Sequence, residues 1–163
     1  MGKNRIAVFG GGCFWGVEED FHHVNGVLKT EVGYMGGNLK KPTYEEVCGG
    51  ETGHAEVVRV TYDESKVSYS ALLEKFFEIH DPTQFNKQGP DVGEQYKSVI
   101  FYSTNEQKKQ AEKKIIELEQ SKKFDKKIAT QIVALREFYI AEEYHQQYLH
   151  KRGMTSCNFT SRM

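Results

Sequence analysis

No stretch of this 163-residue chain stays apolar for the roughly 18 residues that a membrane-spanning helix needs. The first apolar segment, after Met1-Gly2-Lys3-Asn4-Arg5, breaks at Gly10-Gly11-Gly12, too early for a signal peptide and without a small-residue cleavage site. Met-Gly at the start does not complete a myristoylation motif, because Ile6 stands where Ser or Thr is required. The cytoplasm is therefore the expected compartment. Excess charge is lacking too: 22 Lys and Arg face 23 Asp and Glu, which leaves no basic footprint for nucleic acid or an anionic membrane. The lysines between Lys108 and Lys127 alternate with Glu112, Glu117, Glu119 and Asp125, the pattern of a solvated helix face. Cysteine is scarce, odd in number and widely spaced, at Cys13, Cys48 and Cys157. A secreted disulfide framework is excluded by that pattern. No Cys-x-x-Cys exists, and His22-His23 are adjacent rather than at ligand spacing, so neither zinc nor any other cofactor is expected.

What is present alternates in period. Residues 5–9, 27–35, 55–62, 98–102 and 130–135 are short, apolar and rich in β-branched or aromatic side chains, and predict five strands. Helices are predicted over residues 13–24, 69–80, 105–121 and 141–150. Leu72, Leu73, Phe76 and Phe77 fall one turn apart on the second of these. Thr104 caps the third, which turns Ala111, Ile115 and Leu118 inward. Pro42-Thr43 signals a single further turn at residues 44–47, and residues 83–95, with Gly89-Pro90, lack periodicity and predict a functional loop. Strands interleaved in this order with helices predict an α+β fold, a two-layer sandwich with helices packed on a mixed β-sheet. One domain is expected over residues 1–163, with a mobile tail at 152–163.

The most informative stretch is Gly10-Gly11-Gly12-Cys13-Phe14-Trp15-Gly16. It sets a cysteine on a glycine turn between a strand and a helix. Unpaired N–H groups and the positive dipole end at a helix N-terminus favour thiolate over thiol, which lowers a cysteine pKa toward the reactive range. The bland reading is a small buried hydrophobe at a tight turn. Phosphate binding, the other use of such turns, is set aside because Cys13 and two bulky rings crowd the site and no Lys-Ser/Thr follows.

Residues 12–16, Gly-Cys-Phe-Trp-Gly, resemble the signature of the A-type peptide methionine sulfoxide reductases. Residues 42–48, 52–57, 88–96 and 141–149 are similar to four further segments of that family, in the same order. The resemblance implies that Cys13 is the nucleophile and passes through a sulfenic acid. It implies that Phe14 and Trp15 wall a pocket for the substrate methyl, and that Tyr44 and Tyr96 point hydroxyls at the sulfoxide oxygen. Asp91 would order the pocket or a water. Glu56 would be the general acid, and strand alternation agrees: it shares a face with Val58, Val60 and Tyr62, where a carboxyl resists ionisation. Cys157 stands where the family's first resolving cysteine is expected, although the tail has only Gly153 and no second cysteine.

Other residues are read as structural. Cys48 is expected to pack, Tyr34 to lie at a strand end, His54 to orient loop backbone, and His145 to make structural hydrogen bonds. The resemblance further implies a monomeric reductase of the S epimer of methionine sulfoxide, free or in proteins, recycled by thioredoxin or, in the alternative, by glutathione and glutaredoxin. Two rivals remain open: a cysteine hydrolase, which needs a histidine to activate Cys13, and a redox-sensing module that uses Cys13 as a switch.

Overall fold

A computed structural model describes residues 4–50 and 52–153. Its centre is a six-stranded sheet of order β7-β6-β1-β3-β2-β8. β1 (Asn4–Gly11) and β3 (Ala55–Asp63) are antiparallel neighbours in the middle. β2 (Val27–Met35) flanks β3 and β6 (Ser98–Tyr102) flanks β1, both antiparallel. β7 (Gln131–Ala134) lies parallel to β6, so the sheet is mixed as expected. Between β6 and β7 the chain must cross over, and the long helix α4 (Asn105–Ser121) makes that crossover.

Alternation along the strands builds two unequal faces. Ala7, Phe9, Val32, Val58, Val60, Tyr62 and Ile100 point to one side and meet α1 (Phe14–His22), α3 (Tyr69–Glu78) and α4 through Phe21, Leu72, Phe76 and Ala111. Phe9 stacks between Phe21 and Phe76, each at 5.0 Å between ring centroids. The opposite side is thinner, with Val8, Met35, Val57, Val99 and Phe101 covered by Val133 and Phe138. The helices thus form one layer on one face of the sheet, the two-layer α+β arrangement that the residue pattern predicts.

Local signals act where expected. The Thr104 hydroxyl caps α4 by accepting from the Gln107 amide, and Thr43 with Glu46 forms a capping box at the start of α2 (Tyr44–Cys48). Residues 83–95 are better ordered than the sequence suggests: β4 (Lys87–Gln88) and β5 (Asp91–Val92) pair as a small hairpin, followed by a 3₁₀ turn at Glu94–Tyr96. The side-chain amide of Gln88 closes this segment by bonding both the N–H and the carbonyl of Asp81.

The predicted helix over residues 141–150 does not form. In its place β8 (Tyr139–Ile140) adds to the edge of β2, a 3₁₀ turn spans Glu143–His145, and only α5 (Tyr148–Lys151) is helical. Side-chain amides explain the difference. Gln146 accepts from the Val32 N–H and donates to the Val32 and Ala141 carbonyls. Gln147, at φ +48°, donates to Glu18 and to the Thr30 carbonyl. These bonds to the sheet replace the helical ladder.

Candidate active site

The first β-strand delivers the chain into Gly12, whose φ of +106° suits glycine, and a Cβ there would meet Gln88 at 2.9 Å. The turn leaves Cys13 as the N-cap of α1. Glu56 stands on the central strand β3, 1 % exposed. One of its oxygens accepts the Phe14 N–H at 3.2 Å, next to Cys13, and the other is buried with no hydrogen-bond partner among the described residues. Burial, reinforced by the charge of Asp91 and only partly offset by the Phe14 amide, pushes the Glu56 pKa up to about 8. Its place on the apolar face with Val58 and Val60 agrees with the strand alternation.

Cys13 departs from expectation. Burial and then the carboxylate of Glu56 push its thiol pKa far up, with Asp91 adding to them, while the Trp15 and Gly16 amides at the helix start pull the other way. The helix-terminus effect is present, but desolvation outweighs it. Burial thus biases Cys13 toward the thiol and Glu56 toward the carboxylic acid.

Phenols surround this pair. Tyr44 opens α2, where its N–H donates to Glu142 at 3.0 Å, and burial and then the charge of Glu56 raise its pKa. Tyr96 ends the 3₁₀ turn after β5; burial raises its pKa first, with further contributions from Glu56, Cys48, Asp91 and Cys13. Asp91, raised by burial, lies on the hairpin that reaches the same space. Phe14 is fully buried and packs near Tyr34, Tyr44 and His145, at 5.8, 6.3 and 5.2 Å between ring centroids. Trp15 is half-buried, stacks flat on Tyr148 at 3.7 Å and donates its indole N–H to Nδ1 of His145 at 2.9 Å. Cys13, Glu56, Tyr44, Tyr96, Asp91, Phe14 and Trp15 therefore converge on one region. Cys157 lies outside the described residues.

Three contributors were not evident from sequence. Tyr34 sits directly opposite Glu56 in the β2–β3 register, and its hydroxyl donates to Glu142 at 2.9 Å. Glu142 therefore ties β2 to α2 through its two oxygens, Tyr34 on one and the Tyr44 amide on the other. Cross-strand pairing with Glu56 is the signal that could have found Tyr34, since it needs only the strand register. The expectation that Cys48 packs inside is also overturned. It is exposed at the end of α2, hydrogen-bonded to Tyr44 and Gln95 and within the field of Glu56. On this short helix the neighbouring Val47, 1 % exposed, takes the inward position, and Cys48 faces out. His145 is a structural hydrogen-bonder, completely buried against Trp15, and His54 orients loop backbone by accepting the Gly37 N–H and bonding the Leu39 carbonyl.

The charges that act on the Cys13 thiol are the carboxylates Glu56 and Asp91 and not an imidazole. A half-buried thiol beside a carboxyl that burial biases toward its acid form, with phenols around it, is equipped to hand protons to an oxygen while sulfur supplies electrons, which points to a thiol oxidoreductase and removes the support a cysteine hydrolase needs. Comparison with known proteins makes the class specific: residues 5–163 match the peptide methionine sulfoxide reductase family, and the chain belongs to it. The peptide methionine sulfoxide reductase MsrA of Methanothermobacter thermautotrophicus is 58 % identical over 157 residues, covering 96 % of this chain and 93 % of that protein. Mxr1 of Saccharomyces cerevisiae in reduced form superposes with a TM-score of 0.85 at 40 % identity, covering 93 % of this chain and 87 % of that one. Mxr1 in complex with Trx2 matches with a TM-score of 0.61 at 27 % identity, covering 90 % of this chain and 85 % of that one. The protein is an oxidoreductase that reduces methionine sulfoxide.

Proposed function

We propose that the chain reduces the S epimer of methionine sulfoxide, free or in proteins, by attack of the Cys13 sulfur on the sulfoxide sulfur. The unpartnered oxygen of Glu56 beside Cys13 carries this reading, because a carboxyl with a pKa of about 8 is a proton donor at neutral pH. Phe14 and Trp15 wall the methyl group. Glu56, with the Tyr44 and Tyr96 hydroxyls, gives its proton to the sulfoxide oxygen, and the resulting carboxylate takes the thiol proton as the Cys13 sulfur attacks. Asp91 orders the pocket around them. The oxygen passes to Cys13 as a sulfenic acid, two electrons pass to the substrate sulfur, and methionine leaves. Attack by a second thiol on the sulfenic acid then expels water and closes a disulfide, which thioredoxin reduces. Cys157 is the proposed second thiol, and the solved complex of Mxr1 with Trx2 supports a protein reductant.

Separate S and R sulfoxides supplied with dithiothreitol test the core of the reading. Methionine is expected from the S form alone, and none from either with Cys13→Ser; turnover by that variant would remove Cys13 from its role. Cys157→Ser tests the recycling. It should yield one methionine per enzyme, stall with thioredoxin and recover with small thiols. Thioredoxin-driven turnover at the wild-type rate would favour glutathione with glutaredoxin or another thiol. Because Cys48 is exposed beside Tyr44, it is the second reading for the resolving residue, and mass spectrometry of the oxidised protein distinguishes a Cys13–Cys157 link from a Cys13–Cys48 link.

A further inference from the structure

At the opposite end of α1 from Cys13, the chain gathers a second group of reactive side chains. Glu19 lies in the last turn of α1 and is 4 % exposed. One of its carboxylate oxygens is 2.5 Å from Nε2 of His23, the residue that caps the helix, and 3.9 Å from Nδ1 of His150 on α5. The other oxygen is buried with no hydrogen-bond partner among the described residues. The three ligand atoms all lie within 4.8 Å of one another. His22 adds a further imidazole, its ring centroid 4.8 Å from that of His150 and 5.5 Å from that of His23.

We propose that Glu19, His23 and His150 bind a divalent transition-metal ion of the zinc type, joining α1 to α5. Tetrahedral zinc at about 2.0–2.1 Å from nitrogen and oxygen ligands holds neighbouring ligand atoms roughly 3.3 Å apart. The Glu19–His23 contact is shorter than that and the Glu19–His150 contact longer, so an ion entering between them moves both imidazoles by well under the length of a side chain. Both are free to move, with side chains 62 % and 56 % exposed. The glutamate is the fixed partner. A carboxylate and imidazoles without thiols suit zinc, copper or nickel rather than calcium or magnesium. Two ligands four residues apart lie on one helix face, and the carbonyl end of α1 favours a cation. Glu18, one residue earlier, offers nothing comparable, because both its oxygens already accept hydrogen bonds from Thr30 and Gln147. The site is separate from the catalytic one: Cys13 and Glu19 are on the order of 9 Å apart along the helix axis.

The adjacency of His22 and His23 argued against zinc in the sequence because ligand spacing was sought within one segment. The third ligand comes from the other end of the chain.

Calorimetric titration of zinc chloride, and separately of nickel chloride, tests the site. The protein used is the full chain carrying Cys13→Ser, Cys48→Ser and Cys157→Ser, so that no thiol competes. One equivalent of zinc is expected to bind with a Kd in the micromolar range or tighter, and to raise the Tm. His23→Ala and His150→Ala, both at exposed side chains, should each weaken binding by about tenfold or more and remove the rise in Tm. Glu19→Gln keeps the shape of the buried side chain and should weaken zinc to a similar degree. The proposal fails if neither ion saturates the protein below about 0.1 mM. It fails equally if His150→Ala binds zinc as its parent does, since His22 and His23 alone would then account for the binding.

Discussion

Glu18 and Glu56 are each 1 % exposed, and the surroundings of the two carboxyls differ in a way that separates structure from chemistry. Glu18, on α1, accepts from the Thr30 hydroxyl at 2.8 Å and from the main-chain and side-chain N–H groups of Gln147, each at 2.7 Å. Burial pushes its pKa up, and these donors pull it back. Glu56 accepts from one donor, the Phe14 amide, and keeps one oxygen bare. Burial acts on it with little opposition, and Asp91 adds to it. A carboxylate with filled lone pairs holds elements together; one left unsatisfied is poised to keep and release a proton.

Exchanging each carboxyl for a neutral group tests that division. Glu56→Gln should cost the single-turnover rate about 10²–10⁴ while unfolding at no lower a temperature than the wild type; rapid-quench detection of methionine checks it. In the wild type the same rate should be level well below pH 8, fall to half near it and keep falling above, as the acid form of Glu56, with its pKa about 8, is lost. Stability carries the matching sign. The folded pKa of Glu56 lies above the ordinary carboxylate value, so folding favours its protonated form. That contribution is complete below the unfolded pKa and is lost as pH rises toward about 8. Urea melts at a series of pH values should therefore show Glu56→Gln gaining on the wild type from about pH 5 to pH 8. Glu18→Ala should do the reverse of Glu56→Gln: it leaves three donors unpaired and lowers stability by about 2–4 kcal/mol, with the single-turnover rate of the folded protein near that of the wild type. The smallest effect is expected from Tyr34→Phe, which removes one bond to Glu142 and costs about 1 kcal/mol by denaturant melts, with no change in the pH at which activity falls.

The strands and the two long helices were legible because period and caps agree there: Leu72 to Phe77 one turn apart, Thr104 at the N-cap of α4. Glu56 was legible for the same reason, since alternation puts it on the buried face whatever its role. Residues 141–150 misled because helix-forming composition says nothing about where Gln146 and Gln147 place their amides, and those bonds run to a strand more than a hundred residues earlier. The desolvation that burial imposes on Cys13 was hidden on similar grounds. A helix start is visible in sequence, but the desolvation that outweighs it comes from residues that only the fold brings near. Tyr34 and Glu142 were missed because each gains its part through the other.

The chain has one tryptophan, and its indole is stacked on Tyr148 and bonded through Nε1 to His145. An optical reporter is thus built in two residues along the chain from Cys13, and no label is needed to watch it. Emission from Trp15 registers two events at once: an occupant arriving beside Cys13, and any departure of α5 from its place against α1. Quenching by a neutral solute separates them, because a sulfoxide in the pocket shields the ring whereas loss of the Tyr148 stack uncovers it.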